Sequence, residues 1–80
     1  MEIRFFAGAA EAAGTPSRIL DVAPEQTIDY VVQQVVGDDE RLAKVLGASS
    51  LLLDGARVRD RSVAVGSARQ LDVLPPFAGG

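Results

Sequence analysis

The sequence predicts an α+β domain, a mixed sheet of four to five strands with one main helix packed on one face. Three observations predict it. Two β-rich runs come before a helical stripe of Ile and Val, and further β-rich runs follow that stripe. The chain has 80 residues, 48% of them hydrophobic, enough for one small core and no second. A chain this short buries only ~60% of the surface its unfolded form exposes, so folding needs most of its apolar residues.

Residues 2–7 (Glu-Ile-Arg-Phe-Phe-Ala) are rich in β-formers and stop at Gly8, which suits a first strand. Period-two alternation sets Ile3 and Phe5 on one face, with Arg4 and Phe6 on the other. Residues 9–13 are alanine-rich and form a helical turn ended by Gly14, with Thr15-Pro16 as punctuation. Residues 17–23 form a second strand, antiparallel to the first because the connection is short, with Leu20 and Val22 facing inward.

Thr27 is the expected helix N-cap, and Asp29 in the first turn complements the positive end of the dipole. Ile28, Val31, Val32 and Val35 fall at i, i+3, i+4 and i+7, one amphipathic stripe. β-Branched residues are mediocre helix formers, so burial against the sheet must hold this segment. Gly37 interrupts it. Asp38, Asp39 and Glu40 start a second helical stretch with Leu42, Val45 and Leu46 on one stripe and Gly47 as the expected C-cap. The pattern fits one kinked helix or two separate ones.

Ser50-Leu51-Leu52-Leu53 is a compact apolar strand, and Asp54-Gly55 is a hairpin signal leading into Ala56-Arg57-Val58. Residues 62–65 form a short strand or 3₁₀ turn closed by Gly66. Gln70-Leu71-Asp72-Val73-Leu74 is the last strand, with Leu71 and Val73 on one face. Pro75-Pro76 ends it, because neither residue can donate to a ladder. A helical crossover between the second and third strands lets the first strand lie parallel to the last in mid-sheet. This element order fits a β-grasp roll of the ubiquitin type.

The absences narrow the function. No cysteine means no disulfide, thiolate metal site or thiol nucleophile, and no histidine removes the commonest general base near pH 7. Eleven acidic side chains against seven arginines and Lys44 leave a net charge of −3, which disfavours nucleic acid as a partner. No apolar run approaches the ~18 residues of a bilayer span, and Met1-Glu2-Ile3-Arg4 lacks the pattern of a signal peptide. No membrane partner and a cytoplasmic location are expected. Any chemistry involving this chain is expected to draw its catalytic groups from a partner.

The most informative segment is the end of the chain. Residues 1–76 are expected to form the domain and 77–80 a flexible tail. Pro75 and Pro76 restrict φ and favour an extended exit, so that Phe77, Ala78, Gly79 and Gly80 project. Four residues reach at most ~14 Å, enough to enter a buried active site. Glycines without Cβ let a backbone lie flat in a narrow channel while a catalyst closes around the last carbonyl. A carboxylate is a poor electrophile, but adenylation makes it a mixed anhydride that a sulfur donor can attack. The resulting thiocarboxylate carries a nucleophilic sulfur without any cysteine.

The chain resembles the MoaD/ThiS family of ubiquitin-like sulfur carriers, and most closely the small subunit of molybdopterin synthase. Several features carry the resemblance. They are Ile3-Arg4-Phe5-Phe6-Ala7, the alanine-rich turn with Gly14-Thr15, the helix opened by Thr27, and Leu53-Asp54-Gly55. The most specific is the closing Leu74-Pro75-Pro76-Phe77-Ala78-Gly79-Gly80. Two departures stand out: Asp54 replaces a frequent Asn, and Val65-Gly66-Ser67-Ala68-Arg69-Gln70 lacks the usual Asp-Gly-Asp-like turn.

The resemblance implies a non-catalytic carrier with no bound cofactor and two partners. An E1-like adenylyltransferase would use ATP to activate Gly80, the covalent site, for conversion to the thiocarboxylate. The large subunit of molybdopterin synthase, in a heterotetramer, would then pass the sulfur to cyclic pyranopterin monophosphate. Gly79 would be the required slim neighbour, with Phe77 and Ala78 at the channel entrance. Pro75, Pro76 and exposed parts of the sheet would also meet the partners. Sister carriers for thiazole or cysteine synthesis share the tail chemistry. A plain β-grasp interaction module, or a protein modifier joined to lysines, is a further alternative.

Remaining features have plainer readings. Arg57, Arg59 and Arg61 would share one face of a strand, as a solvated edge or a basic stripe. Asp38-Asp39-Glu40 lacks the spacing of a calcium loop and reads as a helix start. Phe5 and Phe6 cannot both be core in a flat strand, so Phe6 is a candidate docking residue. Lys44 reads as an ordinary helix-surface lysine.

Overall fold

A computed structural model describes residues 1–76. Five strands form one sheet: β1 (Glu2–Phe5), β2 (Ser17–Ile19), β3 (Ser50–Leu53), β4 (Ala56–Arg57) and β5 (Gln70–Leu74). Their order across the sheet is β2-β1-β5-β3-β4. β1 runs parallel to β5 with Ile3 opposite Leu71 and Phe5 opposite Val73, while the other pairs are antiparallel. Three helices, α1 (Gly8–Ala13), α2 (Ile28–Val36) and α3 (Glu40–Ala48), complete the β-grasp roll.

The expected stripes build the core. Ile3, Phe5, Leu51, Leu71 and Val73 leave one face of the sheet and meet Ile28, Val31, Val35, Leu42 and Leu46 from α2 and α3. Val32, Val45, Leu20 and Val22 are half-buried against them. Burying a side chain such as Leu71 contributes about 1.5–3 kcal/mol, and these contacts hold the β-branched α2 helical. Thr27 Oγ1 accepts the Tyr30 N–H at the start of α2, and Asp39 Oδ1 accepts that of Leu42 at the start of α3. Gly14, at φ 75°, ends α1 in the left-handed conformation a glycine adopts freely.

Several expected boundaries shift, each for a local reason. β2 stops at Ile19 rather than residue 23, because Leu20 N–H already bonds Met1 O, the last carbonyl that the neighbouring strand offers. β1 stops at Phe5 because Ala7 takes φ 48°, outside the pleat. Of the two arrangements open for the helical stretch, the structure takes two helices of nine residues, parted at Gly37. Gly47 is not the cap of α3, which runs on to Ala48. Its last carbonyls are taken by Ser49 and by the Arg61 guanidinium, so no left-handed glycine is needed there.

That same contact removes Arg61 from the expected arginine stripe, since β4 is only two residues long and Arg61 turns toward α3. The course of residues 60–70 is a loop anchored by a bridge between Ala64 and Thr27, with a turn from Val65 to Ala68. Asp54 and Gly55 adopt φ 48° and 84°, as a tight hairpin requires. The Asp54 carboxylate also accepts the N–H groups of Arg69 and Gln70, each at 3.0 Å, and so fastens the hairpin to the start of β5.

Candidate functional site: the exit of the last strand

β5 is the central strand, so the chain leaves the sheet between β1 and β3 rather than from an edge. Its end is firmly held. Phe6 N–H donates to Val73 O at 3.1 Å, and Ser50 lies opposite Leu74. Pro75 is half-buried and Pro76 exposed. Both line a groove of about 370 Å³ with Gly8 and Glu11 of α1 and Arg41, Lys44, Val45 and Ala48 of α3. Its floor is apolar and its rim carries two cations and one acid.

The other flank of the exit is the sheet face turned away from the helices. Asp72 projects there from β5 and is only 6% exposed. Arg4, opposite it on β1, donates through Nε at 2.8 Å and through a terminal nitrogen at 3.0 Å, one bond to each carboxylate oxygen. Donating to the Asp72 carboxylate holds the Arg4 guanidinium above its ordinary pKa. The guanidinium carbon lies 5.4 Å from the centre of the Phe6 ring. Phe6 itself is 39% exposed while Phe5 is buried, which settles the two-phenylalanine question in favour of Phe6 at the surface.

Of the expected site residues, Pro75 and Pro76 thus sit in one wall of a groove and Phe6 on the opposite flank. Phe77, Ala78, Gly79 and Gly80 lie outside the described residues. Sequence reasoning passed over the groove, because its parts come from α1, α3 and the proline pair, far apart in the chain. It also passed over the Arg4–Asp72 pair. The signal for that pair was available: opposite charges in alternate positions of two strands expected to be neighbours. Among the described residues no cluster of acidic side chains could hold a metal ion, and no helix is long and apolar enough to cross a membrane.

No family model matches the chain, and no curated protein matches it by sequence. Solved structures do. SAMP1 from Haloferax volcanii, a small archaeal modifier protein, shares 27% identity with a TM-score of 0.81, covering 100% of this chain and 98% of that one. The Haloferax volcanii HVO 2177 protein shares 28% identity with a TM-score of 0.75, over 99% of this chain and 84% of that one. A putative molybdopterin converting factor subunit 1 from Pyrococcus furiosus has a TM-score of 0.79 at 12% identity, over 94% of each chain; at that identity the likeness speaks for the fold alone. The fold is that of small ubiquitin-like modifiers and sulfur carriers, which are generally non-catalytic. By that fold the chain is a ubiquitin-like β-grasp protein, similar to these structures over nearly its whole length.

Proposed function

We propose that this chain is a sulfur carrier whose reactive group is the carbonyl of Gly80. One observation carries the reading: the strand at the centre of the sheet runs directly into Pro75-Pro76 and then Phe77-Ala78-Gly79-Gly80. In this reading residues 1–76 are the rigid base and 77–80 the tail that reacts. An E1-like adenylyltransferase joins Gly80 to AMP at the expense of ATP. A sulfur donor then displaces AMP and leaves a C-terminal thiocarboxylate. The receiving enzyme is the large subunit of a molybdopterin synthase, which uses the sulfur on cyclic pyranopterin monophosphate. The Leu-Pro-Pro-Phe-Ala-Gly-Gly ending supports this pathway over its thiazole and cysteine sisters. Phe6 and the groove flank the exit, where both partners would meet the domain.

The identity with SAMP1 favours a second reading, in which the same activated Gly80 is joined to lysines of other proteins. One incubation separates the two. With ATP, a sulfur donor and the cognate activating enzyme, a carrier gains a mass equal to one oxygen replaced by one sulfur. Deleting Gly80, or adding one residue after it, abolishes the gain while leaving the fold intact. An isopeptide product with no thiocarboxylate supports the modifier instead. Turnover of the extended chain without trimming overturns both.

A further inference from the structure

Far from the exit of the last strand, the sheet has an unpaired edge at β4. Leu53 and Ala56 are paired there, whereas Ser50, at the other end of β3, faces Leu74. Val58 N–H donates to Leu51 O at 2.8 Å, and Leu52 lies opposite Arg57. Hydrogen-bonded pairs alternate along an antiparallel ladder, so the N–H and C=O of Arg57 point away from β3. No other segment among the described residues bonds them. Beside this edge runs a groove of about 320 Å³, with Ile28, Leu53, Val58 and Val63 as apolar lining and Arg57 and Arg59 along it. Its far wall is already fastened to the start of α2. Ile28 N–H donates to Val63 O at 3.1 Å, and Asp29 N–H to Arg61 O at 2.8 Å.

Arg57 and Arg59 are both exposed, and neither forms an ion pair among the described residues. The one acid that lines the groove, Asp60, is committed to Ser62, whose N–H and hydroxyl both donate to it. The edge is therefore cationic on a protein of net charge −3. We propose that β4 and its groove are a second docking surface, which takes an extended acidic segment of a partner protein as an added strand. The backbone of that segment bonds the outward N–H and C=O of Arg57, as strand addition to a sheet edge requires. Its apolar side chains enter the groove at every second position, and the carboxylates between them meet Arg57 and Arg59. Charge that served only to keep an edge from aggregating would need no apolar groove beside it. This groove shares no residue with the one walled by Pro75 and Pro76, so a segment bound here leaves the exit uncovered.

The test titrates the nitrogen-15-labelled full chain with a blocked peptide of alternating glutamate and valine and follows its amide spectrum. The expected shifts centre on Arg57, Val58 and Val63. In the complex the Arg57 amide exchanges at least about tenfold more slowly, and affinity falls with added salt. Arg57→Glu together with Arg59→Glu weakens binding at least about tenfold, keeps the parent's thermal midpoint and accepts a lysine–valine peptide instead. Methylating the backbone nitrogens of the peptide keeps its charge but removes its donors, and should abolish the complex. Undiminished binding of the methylated peptide overturns strand addition. No shift at Arg57 by about 1 mM peptide, shifts centred on Arg41 and Lys44, or equal binding of the lysine–valine peptide to the parent overturns the surface itself. A single-stranded oligonucleotide that binds the same residues more tightly than the peptide overturns the acidic-segment assignment in favour of nucleic acid.

Discussion

The two faces of the sheet are closed by different forces, and β5 contributes to both. Toward the helices it sets Leu71 and Val73 into an apolar interior. Away from them it sets Asp72 against Arg4, with Phe6 stacked on the guanidinium and Leu52 of β3 opposite Asp72 in register. The first face excludes water with side chains from α2 and α3. The second buries a carboxylate with no helix above it, by giving both of its oxygens a guanidinium donor. A single strand with a two-residue period thus anchors the core and shapes an open surface around the chain's exit.

The contrast predicts a graded response to substitution. Leu71→Ala empties space in the helix-side interior and is expected to cost about 2–5 kcal/mol of unfolding free energy by urea titration. A cost like that of a surface change would break the comparison. Asp72→Ala removes both hydrogen bonds to Arg4 but leaves that arginine reachable by water, so its urea midpoint should fall by less than that of Leu71→Ala. Phe6→Ala should cost no more than about 1 kcal/mol. Under the proposed function it nevertheless raises the KM of the activating enzyme for the chain, and an unchanged KM would remove Phe6 from the docking surface.

The smallest effect concerns pH. Ser62 donates from its N–H and its hydroxyl to Asp60, which lowers the Asp60 pKa below its ordinary 3.8. A lowered carboxylate pKa stabilises the fold above the ordinary value, and the contribution disappears as pH falls through the folded one. Ser62→Ala should therefore lower the denaturation midpoint slightly at neutral pH and leave no difference once Asp60 is protonated. A gap between the two proteins that is the same at both pH values would mean that the carboxylate is not its source.

Much of the fold was legible because local and global signals agreed. The Ile28–Val35 stripe stands where the periodicity puts it, the Thr27 cap and the Asp54-Gly55 turn where their residue types put them, and the parallel pairing of the first and last strands where the element order puts it. The misreadings share one cause. Strand ends depend on what the neighbour offers: residues 21–23 read as strand until one knows that Leu20 uses the last available carbonyl. Gly47 read as a cap until Arg61, 14 positions on, supplied the donors. The groove at the exit was invisible for the same reason, since no local pattern places Ala48 beside Pro75.

The central position of β5 also bears on how the protein is made. Until residues 70–74 leave the ribosome, β1 and β3 have no strand between them, and Ile3 and Leu51 lack the side chains that cover them. The sheet can therefore close only after β5 has been synthesised, by pairings as distant as Glu2 with Gln70. Any molecule that reaches the native state has, by construction, already threaded its final strand through the middle.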